Sequence, residues 1–284
     1  MSDRMAAAGS VGCDLVYEVA AAATVVLQVT AYRQSPDARL IVTADGERAD
    51  GKRADGKGAA AEEIAGSWAA GGRQHLLRAP AGRLSIHYRS STAVPGPVTP
   101  AEVTVLDRVV WARPSRYCPS DRLGGFAAGH FGHYGSSADT VRAICDYVYE
   151  HTAYTAGASG PSTDAAETLL AGAGVCRDFA HLVVALCRAL DIPARVAAVY
   201  APGLSPMDFH LVAEAAVGDR WYVWDATRLA PRASMVRIAT GRDATDVAFA
   251  TIIGGQGSMD QMSVSAIAPT DLPVDDHHAL VALR

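Results

Sequence analysis

The sequence predicts an α+β protein in two parts: an antiparallel β-rich domain over residues 1–97, then a domain over residues 98–284 whose helices pack on an antiparallel sheet. Three observations predict it. Short, alternating, β-branched segments fill the chain up to about residue 93. Apolar residues recur at helical spacing between residues 136 and 190. Strand-like runs then follow the last of those helices. Half of the 284 residues are hydrophobic and 19% are charged, enough apolar surface for a sizeable core.

In chain order, "TVVLQVTAY", "ARLIVTADG", "QHLLRAP" and "GRLSIHYRS" read as strands bounded by Gly, Pro and Asp. "DGERADGKRADGKGAAAEE", residues 45–63, reads as one long hairpin loop, and "AVPGPVTP", residues 93–100, as the linker. "SSADTVRAICDYVYEHT" places Val141, Ile144, Tyr147 and Val148 at helical spacing behind a serine cap. "STDAAETLLAGAG" is a shorter helix capped by Ser162 or Thr163 and closed by glycines. In "GAGVCRDFAHLVVALCRALDIPARV", residues 172–196, Phe179, Leu182, Val183, Leu186, Cys187 and Leu190 form one apolar stripe, and Pro193 cannot continue a helix. "ARVAAVY", "FHLVAEAAV" and "RWYVWDAT" follow as three strands, with Gly218 and Asp219 as a two-residue hairpin turn.

Charge and composition exclude several classes. The net charge of −5 comes with no basic stripe interleaved with aromatics, so no nucleic-acid partner is expected. No apolar window is long enough for a membrane-spanning helix. Five cysteines, an odd count without C-x-x-C, argue against a disulfide framework and against structural zinc, and suit a reducing cytoplasm. "SVGC" ending at Cys13 faintly resembles a lipoprotein cleavage site, but "MSDRMAAAG" lacks the basic start and apolar stretch of a leader. "HFGH" (130–133) reads as a loop and "DDHH" (275–278) as a solvated tail. Neither has partners at metal-ligand spacing, and no metal or cofactor is expected.

Cys176 opens a helix. Backbone N–H groups there lack intrahelical partners and the positive end of the dipole is close, both favouring a thiolate. A nucleophilic thiol needs a base, and the base an orienting group. If Gly218 and Asp219 make the turn, Val217 pairs with Arg220 and Val212 with Asp225. His210 and Asp225 then share a face at diagonal positions, and a one-residue slip would separate them. Asp178 and His181 read as structural, Asp178 as a first-turn acid. Glu214 shares the His210 face and is expected either at the site or on a solvated edge.

With "DFHLVAEA" and "WYVWDATRLAP" downstream, "GVCRDFAHLVVALCRALDIPARV" resembles the bacterial transglutaminase-like superfamily, over roughly residues 110–235. The resemblance implies a papain-like α/β core and a Cys-His-Asp triad. Cys176 would be the nucleophile, His210 the base and acid, Asp225 the orienting carboxylate. Tyr154, where the family tends to carry an aromatic residue, would help bind an oxyanion or substrate carbonyl. Leu211 and Val212 stand where the family often has Ala-Trp. Arg177 stands where the calcium-dependent eukaryotic enzymes have Trp, and their calcium-site carboxylates are not apparent. The Arg-Gly-Gly-x-Cys motif of arylamine N-acetyltransferases is absent, and papain's order has Asn where Asp225 stands.

The expected chemistry is acyl transfer through a thioester on a peptide, protein or small-molecule acyl donor. Water as second nucleophile gives an amidase or peptidase, and an amine acceptor gives a transamidase or amide synthase. Hydrolysis leads among these. A non-catalytic binding module using the same cleft is the rival. Oligomeric state is left open.

Overall fold

A computed structural model describes residues 9–45, 47–48, 60–65, 72–92 and 98–284. The β half holds β1 (Gly9–Val19), β2 (Ala23–Leu27), β3 (Arg39–Ala44), β4 (Glu47–Arg48), β5 (Ala60–Ala65), β6 (Arg73–Ala79) and β7 (Gly82–Thr92). The second half runs α1 (Val105–Val110), α2 (Gly124–Phe131), α3 (Ser137–His151), β8 (Ala153–Tyr154), α4 (Ala165–Ala171), β9 (Ala173–Gly174) and α5 (Cys176–Ala189). It continues through β10 (Ala194–Tyr200), β11 (Phe209–Val217), β12 (Arg220–Trp224), β13 (Val236–Gly241), α6 (Ala244–Val247), β14 (Ala250–Ile253) and β15 (Gly257–Ile267). The fold is α+β, as the sequence predicts.

Two antiparallel sheets make the β half, ordered β15-β1-β7-β3-β4 and β14-β2-β6-β5. In β1 the odd-numbered Val11, Cys13, Leu15, Tyr17 and Val19 are buried, the period of two that a half-covered sheet demands. The strand order carries β14 and β15 back to sheets begun by the first ninety residues. Most of the segment read as a long loop, 45–63, lies outside the described residues. Of its described parts, residues 47–48 pair with β3 and the strand Ala60–Ala65 pairs with β6. Most of the linker segment, 93–97, also lies outside them. No helix among the described residues is long and apolar enough to cross a membrane.

The second half is built around α5. Every residue from Asp178 to Arg188 is buried, because α2, α3 and α4 pack on the helix from one side and β10 and β11 from the other. The single apolar stripe read from the sequence is therefore part of an all-round buried surface. Its sheet is ordered β12-β11-β10-β13. Val217 pairs with Arg220 and Ala213 with Trp224, the expected register. Gly218 takes φ +58° at the first central position of the turn, where a II′ hairpin needs glycine.

Two local readings change. The cap of α4 is Asp164, whose carboxylate accepts the Glu167 N–H while Glu167 accepts the Asp164 N–H. A carboxylate one residue further along completes the reciprocal capping box. The first histidine of "HFGH" lies in α2, stacked on Phe126 and against Tyr147.

Candidate active site

The start of α5 is set by backbone pairing and one side chain. Asp178 Oδ2 accepts the Val175 N–H at 2.8 Å, and its Oδ1 accepts Arg177 Nη2 at 3.0 Å. Arg177 Nη2 also donates to the Gly160 carbonyl at 2.7 Å, and Ser159 donates to Asp178. Asp178 is fully buried, so it is structural, as expected. Gly174 permits this fold-back: a Cβ there would lie 2.6 Å from the Asp178 Cβ. Cys176 is half-buried at the first position of the helix. Cys187, three turns on, is fully buried, and burial pushes its thiol up to about 12 despite the charge of Arg188.

From the hairpin, His210 and Asp225 meet. His210 Nε2 donates to Asp225 Oδ2 at 2.9 Å, with both side chains buried. The other carboxylate oxygen, Oδ1, accepts the Thr227 N–H at 2.9 Å and the Thr227 hydroxyl at 2.7 Å. Thr227 was not foreseen. Its signal is the Asp-x-Thr spacing, which lets a carboxylate bond the backbone two residues on. His210 Nδ1 has no hydrogen-bond partner among the described residues, and the Cys176 thiol adjoins the imidazole.

The electrostatics follow from this packing. Burial disfavours a charged His210, but Asp225, by charge and hydrogen bond, and then Cys176 outweigh it, and the imidazole is pushed up to about 10. Burial likewise raises Asp225, while His210 and the two Thr227 donors more than reverse it and hold the carboxyl below its ordinary range. His210 therefore holds its proton through neutral pH, with Nε2 on the carboxylate and Nδ1 left to face the thiol.

Tyr154 reaches the same place through backbone pairing: β8 runs parallel to β9, with Tyr154 opposite Gly174, two residues before Cys176. Its phenol adjoins both the thiol and the backbone N–H of Cys176, and burial followed by the thiol pushes it up to about 12. Tyr154 is 48% exposed.

Glu214 does not join the site. It is 1% exposed and ion-paired with Arg195 at 2.9 Å and Arg237 at 2.7 Å. Arg195 lies opposite it on β10, and Arg237 comes from β13. A buried carboxylate requires such partners, so neither the solvated edge nor a substrate role holds. His181 is structural: fully buried, its Nε2 accepts the Ala244 N–H at 3.0 Å, its ring stacks on Tyr117, and burial lowers it to about 4. The "DDHH" segment is not a solvated tail. Asp275 accepts the backbone N–H of the buried Arg232 at 2.9 Å and its guanidinium at 2.9 and 2.8 Å, and Val281 bridges to Val223.

Comparison with known proteins gives the family of the chain. Residues 126–226 match the transglutaminase-like superfamily. The crystal structure of a candidate cysteine protease from Cytophaga hutchinsonii is similar over 95% of this chain and 93% of its own, with 34% identity and a TM-score of 0.78. The periplasmic domain of TgpA from Pseudomonas aeruginosa matches 79% of this chain and 92% of its own at 16% identity and a TM-score of 0.39. Red sea bream transglutaminase matches 72% and 48% at 11% identity and a TM-score of 0.33. At that distance neither of these two bears on the fold. No functionally curated protein matches the chain.

Proposed function

We propose that this chain, which belongs to the transglutaminase-like superfamily, transfers acyl groups through a thioester on Cys176, with water as the usual second nucleophile. The observation that carries the reading is the buried 2.9 Å bond between His210 Nε2 and Asp225, which leaves Nδ1 unpartnered beside the thiol. Cys176 reacts as the thiolate, with its proton on His210. Sulfur attacks the carbonyl carbon, and the tetrahedral oxyanion forms near the start of α5. The backbone N–H of Cys176 and the Tyr154 hydroxyl are the donors available there.

The imidazolium gives its Nδ1 proton to the departing amine or alcohol and the C–N or C–O bond breaks. His210, now neutral, takes a proton from water as its oxygen attacks the thioester. The C–S bond then breaks, the acid leaves, and the thiolate and imidazolium are regenerated. Asp225 holds the ring orientation throughout and stabilises the imidazolium, the part an aspartate plays in a serine-protease triad. Hydrolysis is favoured over transamidation by the similarity to a candidate cysteine protease.

The test is intact-mass analysis after reaction with 4-nitrophenyl acetate, followed by peptide mapping. One acyl group on Cys176, absent in Cys176→Ala, is expected. Equal labelling of Cys176 and Cys187 in the folded protein, or no adduct, overturns the reading.

A further inference from the structure

We propose that Arg228 is a positioning residue of the reaction: it clamps the turn that carries Asp225 onto α3 and so fixes the carboxylate against His210. The three groups of the site are not held alike. Cys176 is set by the first turn of α5. His210 lies inside the β10–β11 ladder, opposite Val199. Asp225 lies beyond the last ladder pair of β12, Ala213 with Trp224. Its place therefore depends on the turn at residues 225–228.

Within that turn Thr227 holds the carboxylate by its two bonds to Oδ1, and the Arg228 N–H donates to the Asp225 carbonyl at 3.4 Å. Arg228 ends the turn at φ +57°, a left-handed conformation that is uncommon outside glycine and persists where the surroundings hold it. Its side chain does the holding. Nη2 donates to the Asp146 carboxylate, and the guanidinium carbon lies 4.1 Å from the centre of the Tyr149 ring. Asp146 and Tyr149 are about one turn apart on α3, and α3 packs on α5, the helix that begins at Cys176. The clamp thus ties the carboxylate to the same body that carries the thiol. Its ion pair is partly exposed, at 23% and 37% of the two side chains. The left-handed backbone offsets what such a pair contributes to stability, which leaves placement of the turn as its consequence.

The inference rests on the acyl-transfer reading above, since Arg228 acts through Asp225 and His210. The imidazole faces Asp225, Cys176 and, just ahead of its own strand, Asp208. Of these only Asp225 lies on the clamped turn. Loosening the clamp lets the carboxylate move from Nε2, weakens the support of the imidazolium, and lowers the pH at which His210 gives up its proton.

The experiment compares the full chain with Arg228→Asn, Arg228→Lys and Asp146→Asn. Asparagine tolerates the left-handed region and lacks the cation. Lysine restores a charge between Asp146 and Tyr149. Asp146→Asn releases the clamp from the α3 side with Arg228 intact, and decides the question if Arg228→Asn does not fold by circular dichroism. Single-turnover acylation by 4-nitrophenyl acetate, over a range of ester concentrations, separates the maximal rate from the half-saturating concentration. NMR titration of the histidine rings, assigned with His210→Gln, reads the ionisation of His210. Arg228→Asn and Asp146→Asn should each lower the maximal rate roughly tenfold with half-saturation little changed, the size expected for a misplacement under about 1 Å. The His210 titration should move to lower pH by about one unit, and Arg228→Lys should restore most of both. Where wild type acylates, an unmoved His210 titration in the folded variants overturns this inference alone, whether or not thermal stability falls. No acylation of Cys176 in wild type overturns the acyl-transfer reading and this inference with it.

Discussion

At the scale of single residues, the chemistry turns on how one carboxylate divides its two oxygens. Asp225 gives Oδ2 to His210 and Oδ1 to Thr227. Asp225→Asn retains the shape but not the charge that favours the imidazolium. In a serine-protease triad the comparable change costs about 10⁴ in turnover. A thiol needs less help from its base, so a loss of about 10²–10³ in acylation rate is expected, read by single-turnover kinetics with circular dichroism to check folding. Wild-type acylation by a folded variant would remove Asp225 from the reaction.

His210 also predicts a pH dependence. Its ordinary value of 6.5 is raised to about 10 in the folded chain. The stability it contributes is thus complete below about pH 6.5 and is lost as pH rises through about 10. The difference in denaturant midpoint between wild type and His210→Gln should shrink over that window. A difference that grows with pH would contradict the charged imidazole.

At the scale of elements, α5 is governed by its first turn. Asp178 is the side chain that ties Val175, Arg177 and Ser159 to the helix start. Removing it in Asp178→Ala leaves the Val175 N–H without its acceptor and takes one acceptor from Arg177, at a cost of about 2 kcal/mol. A lower urea midpoint and slower acylation of Cys176 should appear together, because the same turn carries the thiol. An unchanged midpoint would show that the cap contributes little.

The scale of the whole molecule joins the two halves. Buried residues of β1 and β7, such as Leu15 and Ile86, belong to one continuous core with Leu182 and Leu186 of α5. Tyr200 of β10 donates to the Val29 carbonyl at 2.7 Å and stacks on Tyr88 of β7 with ring centroids 6.3 Å apart. The Tyr32 N–H donates to the Arg237 carbonyl at 2.8 Å. A chain so connected should unfold in one transition. Tyr200→Phe orphans the buried Val29 carbonyl, costing about 1–2 kcal/mol, and should lower that single transition by about 2–6 °C. Calorimetry showing two transitions, only one of them moved, would separate the halves.

By itself the sequence determined what short-range rules govern. Glycines ahead of Cys176 and the apolar spacing behind it specify a helix beginning at the thiol. Gly218-Asp219 between alternating runs specifies a hairpin, and hairpin register brings His210 and Asp225 to one face, because side chains alternate along a strand. Only the tertiary structure decided what depends on partners distant in the chain. Glu214 looked like a site or edge residue until Arg195 and Arg237 closed on it from β10 and β13. Asp275 looked solvated until the buried Arg232 required a counter-charge. The burial of α5 beyond its apolar stripe, and the return of β14 and β15 to sheets begun some 230 residues earlier, have no local pattern to read. Burial and charge pairing are set by what the rest of the fold brings alongside, and that physical reason keeps them out of any local pattern.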